Sequence, residues 1–108
     1  MKPSAILHEA LALLRDGKGW TKNAAARDKY GRETLVLSDV ACKYCLVGAV
    51  MRVAKQNRIV NLQPVFYYLL NAANSKYRLT DINDAAESFD TVATILRNAA
   101  ACAEHDGQ

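Results

Sequence analysis

The sequence predicts an α-rich α+β fold, with about four helices around a buried central helix and one small β-hairpin. Three observations predict it. Residues 40–56 are apolar on nearly every side of a helix, broken only by Lys43, Arg52, Lys55 and Gln56. A helix without a clean polar face is usually enclosed by its own domain. Apolar residues recur at helical spacing near both ends of the chain, at Leu7, Leu11 and Leu14 and at Val92, Leu96, Ala99 and Ala103. Residues 20–37 lose that period and contain the strand-forming run Thr34-Leu35-Val36-Leu37.

Each element has a local reason. The first helix is expected to open at Pro3 or Ser4, since proline suits a first turn and serine an N-cap. Leu7, Ala10, Leu11 and Leu14 form its stripe, and Gly17 or Gly19 closes it in a left-handed turn. The hairpin is placed over about 24–37, with one strand near Ala24–Asp28 and a turn at Tyr30-Gly31. Helix propensity in the alanine run Ala24–Ala26 competes with that assignment. Ser38-Asp39 is expected to cap the central helix, over about 40–56. Within it Gly48-Ala49 should admit a neighbouring helix closely. Pro64 opens a third helix with Val65, Phe66, Leu69, Ala72 and Ala73 inward and Tyr67 and Tyr68 at its flanks. Residues 75–87 read as an ordered loop. Ser88 then caps a last helix, with Phe89, Val92, Leu96, Ala99 and Ala103 on one side.

At 108 residues the chain is expected to be a single domain, 1–108. It is 51% hydrophobic and 23% charged, which is globular composition rather than disorder. The net charge of +3 is small. Lys18, Lys22, Arg27, Lys29 and Arg32 do cluster, but Asp28 and Glu33 interrupt them and no aromatic ladder accompanies them. That pattern describes a solvated hairpin face and argues against a nucleic-acid partner. No run approaches the ~20 apolar residues a membrane span needs. The start, Met1 to Glu9, has polar breaks where a secretory leader would be continuous. Three cysteines, an odd number, argue for a reducing, cytoplasmic compartment.

The candidate chemistry centres on few residues. Cys42-x-x-Cys45, with Cys102 and either His8 or His105, has the ligand types of a zinc site. Placement within a core helix favours packing instead, because buried free cysteine behaves as a small hydrophobe. Redox chemistry would want Cys42 exposed at a helix start, but no parallel βαβ pattern surrounds it. Cys45 with His8 and Asp84 would make a nucleophile–base–acid set if the side chains met. Asn83-Asp84, with Asp81 and Asp90 nearby, lacks the glycine and distal glutamate of a calcium loop. These residues more simply satisfy loop and helix-start amides. Trp20, the single tryptophan, is either a core plug or a pocket wall. No metal or cofactor is expected.

Three segments, Gly19-Trp20-Thr21-Lys22, Tyr44-Cys45-Leu46-Val47-Gly48-Ala49 and Ile82-Asn83-Asp84-Ala85, together resemble a family of small bacterial and bacteriophage proteins of unknown function. Its members read approximately Gly-Trp-Thr, an Arg-Asp hairpin, Trp-Cys-Leu-x-Gly-Ala, then Trp-Asn-Asp before a final helix. The resemblance spans about residues 5–103. It implies Trp20, Thr21, Arg27, Asp28, Cys45, Gly48, Ala49, Asn83 and Asp84 as family positions. Tyr44 stands where an indole is usual, and Ile82 replaces the aromatic before Asn83. The resemblance implies no activity.

Nucleophile elbow, phosphate loop and nucleotide fingerprint are all absent from the sequence. The chain is therefore expected to be a small intracellular accessory protein that acts by binding, sequestering a host protein or small ligand. If the gene is phage-borne, the natural target is a host defence system. The expected contact residues are Trp20, Thr21, Lys22, Arg27, Asn83 and Asp84. The competing class is a small cysteine-dependent enzyme centred on Cys45. Oligomeric state stays open, and a dimer is admitted.

Overall fold

Five α-helices and three two-residue strands make up the fold, described for residues 1–108 in a computed structural model. In chain order they are α1 (Pro3–Leu13), β1 (Ala26–Arg27), β2 (Glu33–Thr34), β3 (Lys43–Tyr44), α2 (Leu46–Gln56), α3 (Gln63–Ala73), α4 (Leu79–Ala85) and α5 (Phe89–His105). A single 3-10 turn, Arg15–Gly17, follows α1. The strands form one antiparallel sheet in the order β2-β1-β3.

The helices sit where apolar spacing puts them. Pro3 occupies the first turn of α1, and Pro64 that of α3. The chain leaves α1 through left-handed backbone at Arg15, Asp16 and Gly17, the last at φ +96°, a conformation glycine adopts without steric cost. Leu7, Leu14, Leu46, Val50, Leu69, Val92 and Leu96 are fully buried in one cluster. On α5 the expected face is the inward one, with Val92, Leu96, Ala99 and Ala103 buried and Phe89 packed at its edge.

Three expectations are corrected. The helix expected over 40–56 begins only at Leu46. Residues 43–44 are instead a third strand, paired through Ala26↔Tyr44 and Arg27↔Lys43. The apparent lack of a polar face came from reading strand residues as helix. The true helix is amphipathic, with Met51, Lys55 and Gln56 exposed and Leu46, Ala49, Val50 and Val53 buried. The cap is accordingly Cys45, whose Sγ accepts the Gly48 amide at 3.3 Å, and not Ser38-Asp39. α1, which packs on α2, α3 and α5, is the helix with the most extensive contacts to the others.

The second correction is the loop expected over 75–87, which contains α4. Its inward positions are Leu79 and Asn83, one turn apart. A helix whose buried face includes an asparagine shows no apolar stripe. Third, the space at Gly48 accommodates the backbone just before β1 and not a helix. A Cβ there would lie 2.3 Å from the Ala25 carbonyl oxygen.

Candidate functional site

Trp20, Thr21, Lys22, Arg27, Asn83 and Asp84 meet in one hydrogen-bonded cluster, although they come from two stretches some sixty residues apart. Asn83 is its centre and is 0% exposed. Its Oδ1 accepts the Trp20 indole Nε1–H at 2.7 Å and the Leu46 amide at 3.0 Å. Its Nδ2 donates to the Thr21 carbonyl at 3.1 Å and to Asp84 Oδ1 at 3.0 Å. Both lone-pair positions and both protons of the amide are thereby used. An aspartate would turn acceptors toward Thr21 and Asp84, so the site demands an amide.

The other five residues extend the cluster outward. Asp84 Oδ1 also accepts the Asn23 amide at 2.8 Å. The Lys22 ammonium donates to the Ala86 carbonyl at 2.6 Å. Ala86 is the C-cap of α4, where the open carbonyls favour a cation. The Arg27 guanidinium donates to Thr21 Oγ1, to the Lys22 carbonyl and to the Gly31 carbonyl, at 2.9, 3.1 and 3.0 Å. Trp20 lays its ring against Phe89 at the start of α5, with centroids 5.8 Å apart. Every buried side-chain nitrogen and oxygen has a partner. The cluster is a polar clasp that ties the irregular segment 20–45 to α4 and to the start of α2.

Cys45 adjoins the clasp but is inert in character. Burial pushes its thiol pKa up, against the Gly48 and Val47 amides that pull it down, and the Asp84 carboxylate raises it further. A thiol held protonated at neutral pH is a poor nucleophile. His8 is engaged elsewhere, its Nε2 lying 2.6 Å from Glu104 Oε1 on the exposed side of α1 and α5. The set Cys45, His8 and Asp84 is therefore not joined. Cys42 lies upstream of the helix, in the stretch before β3, so the two cysteines share no helix face. A cavity of about 270 Å³ lies over Cys45, lined by Asn23, Val47, Met51, Thr80 and Asp84 among others. No cluster of three or more His, Cys, Asp or Glu side chains is placed to hold a metal ion.

The outer side of the clasped segment carries what sequence reasoning missed. Leu35 is 80% exposed, Tyr30 70% and Val40 60%, with Leu37 also exposed. Leu35 and Leu37 flank buried Val36, and three consecutive apolar residues carry no alternation that would say which of them faces out. The hairpin tip is closed by its own hydrogen bonds. Asp28 Oδ1 accepts the Tyr30 and Arg32 amides at 2.9 and 3.0 Å, and Oδ2 accepts Arg32 Nε at 3.0 Å. Burial alone would raise Asp28, but these bonds and the guanidinium charge outweigh it and hold the carboxyl below its ordinary value. Lys29 and Arg32 flank the Tyr30 ring, 5.1 and 5.0 Å from its centroid.

Residues 1–102 match the family of unknown function DUF6197. The chain belongs to that family. No curated protein and no solved structure matches it. No helix is long and apolar enough to cross a membrane.

Proposed function

We propose that this member of DUF6197 is a small accessory protein that binds a protein partner through the outer side of residues 29–40, chiefly Tyr30, Leu35, Leu37 and Val40. One observation carries the reading: a segment with almost no regular structure is pinned at its start by the clasp and at the Val36 and Ser38 carbonyls by the Arg52 guanidinium, each at 3.0 Å, while it presents apolar and aromatic side chains to solvent. Loops fixed on a rigid scaffold are where binding residues concentrate. Fixing them before the partner arrives lowers the entropy cost of association. Exposed aromatic and arginine side chains are the residue types that dominate interface energetics.

In this reading Trp20, Thr21, Arg27, Asn83 and Asp84 position the contact surface and do not touch the partner. Binding is favoured over the enzyme centred on Cys45 because that thiol is buried, protonated and without an imidazole partner. The resemblance to phage-borne accessory proteins extends the proposal to a host defence protein as the partner.

Site-specific photo-crosslinking in the native host tests it. A benzophenone side chain at Tyr30 or Leu35 should give one discrete protein adduct, and one at the exposed α5 residue Arg97 should give none. Leu37→Asp with Val40→Asp should abolish the adduct. Equal adducts from Arg97, or none from the hairpin positions, would overturn the proposal.

A further inference from the structure

β1 is the middle strand of the sheet, so β2 and β3 are its edges. The β3 edge is closed. Trp20 bridges Tyr44 in parallel, the Tyr44 amide donates to the Gly19 carbonyl at 2.8 Å, and the Thr21 amide donates to the Tyr44 carbonyl at 3.0 Å. Nothing covers β2 in the same way. Its outward backbone groups follow from the ladder. The Asp28 amide donates to the Arg32 carbonyl, while the Arg27 carbonyl is turned to β3 and accepts the Cys42 amide. Antiparallel pairs alternate between bonded and non-bonded, so Arg27↔Glu33 is a non-bonded pair. The N–H and C=O of Glu33, and two residues on the N–H of Leu35, therefore point away from β1 to the open side.

The side chains along this edge are specific. Glu33 and Leu35 share the outer face, two residues apart. The Glu33 carboxylate takes part in no ion pair. Its cross-strand neighbour Arg27 donates instead to Thr21, Lys22 and Gly31, and Arg32 donates to Asp28. Beside Leu35, small Ala25 leaves a hollow of about 470 Å³ lined by Ala25, Glu33, Thr34 and Leu35. The edge thus offers backbone donors and an acceptor, one unpaired negative charge, and one apolar step.

We infer that the open edge of β2 receives an extended segment of the partner protein as a fourth strand, one that places a lysine or arginine beside Glu33 and a branched apolar residue beside Leu35. The inference rests on the hairpin surface being the contact surface. Strand addition supplies affinity through main-chain bonds and specificity through alternate side chains. Opposite charges facing each other across a strand pair stabilise it, and like charges oppose it. Two residues is short for an edge strand, and shortness is how natural sheets limit unwanted pairing of an edge held ready.

The test uses the full chain and a nine-residue probe peptide in which threonine alternates with valine, isoleucine, lysine and valine, in that order. Adding the probe should slow amide hydrogen exchange at Glu33 and Leu35 at least tenfold. A probe with glutamate in place of lysine should bind at least tenfold more weakly, and Glu33→Lys should reverse that preference. Backbone methylation of the lysine probe on its pairing edge should abolish binding without any change to the protein. Unchanged exchange at Glu33 and Leu35 with millimolar probe, equal binding of the two probes, or a β2-paired dimer of the chain alone would overturn the inference. Photo-crosslinks at Tyr30 and Leu35 without edge protection would leave the contact surface standing and remove only the added strand. Loss of both would remove both.

Discussion

The helical part of this protein and the segment 20–45 are held by different forces. α1, α2, α3 and α5 are joined by apolar side chains, most of them buried. Each such Leu or Val is stabilised by about 1.5–3 kcal/mol relative to exposure. The segment 20–45 has three strands of two residues each and places few large side chains in the core. Its position depends on directional bonds, from its start to Asn83, Asp84 and Ala86 and from Arg52 of α2 to the Val36 and Ser38 carbonyls. Apolar contacts tolerate small shifts, whereas a buried amide with four bonds does not. The difference explains why residues that look like a binding site tie the segment 20–45 to α4.

Leu96→Ala should have the largest effect. Leu96 is fully buried on α5, and such truncations cost about 2–5 kcal/mol through lost burial and a residual cavity. Urea unfolding followed by circular dichroism measures it. A cost under ~1 kcal/mol would mean that the helical part is not the seat of stability.

Asn83→Ala tests the other side of the comparison. It leaves the Trp20 indole donor and the Leu46 amide without their acceptor, at about 1–3 kcal/mol for each group left unsatisfied. The total should be roughly 2–4 kcal/mol on that basis. Amide exchange should also quicken at Thr21 and Cys45 more than within α5, because the clasp loosens before the helices part. Uniform acceleration along the chain would erase the distinction between the two regions.

Cys45→Ala should cost less, about 1 kcal/mol, the worth of a helix cap and a small side chain. In the unmodified protein a thiol reagent should label exposed Cys102 first and leave buried Cys45 untouched until unfolding. Rapid labelling of Cys45 in the native state would contradict its burial and revive the nucleophile reading.

The smallest effect is a pH dependence confined to the hairpin tip. The Asp28 pKa is lowered in the folded chain. Its stabilising contribution is therefore complete above the ordinary carboxylate value and is lost as pH falls through the lowered one. Amide exchange at Tyr30 and Arg32 should quicken on acidification through that range, corrected for intrinsic rates. Asp28→Asn should remove the dependence. Its persistence in that variant would assign it to another carboxylate.

How much of this was legible in the sequence depends on how far apart the cooperating residues lie. The faces of α1, α3 and α5 are written in apolar spacing, and Pro3, Pro64 and Ser88 mark the starts. That information is local, since residues three and four apart meet on any helix. The six candidate residues were also identifiable as a group, but not their role, because a side chain's role depends on what its polar atoms touch. Trp20 meets Asn83 across 63 positions of chain, and no local period encodes such a meeting. The same limit hid β3 and α4. Residues 40–45 are apolar enough for either a buried helix or a strand, and pairing with Ala26 and Arg27 decided between them. α4 buries Asn83 where pattern recognition seeks a hydrophobe, and only the donors and acceptors gathered around that amide make its burial favourable.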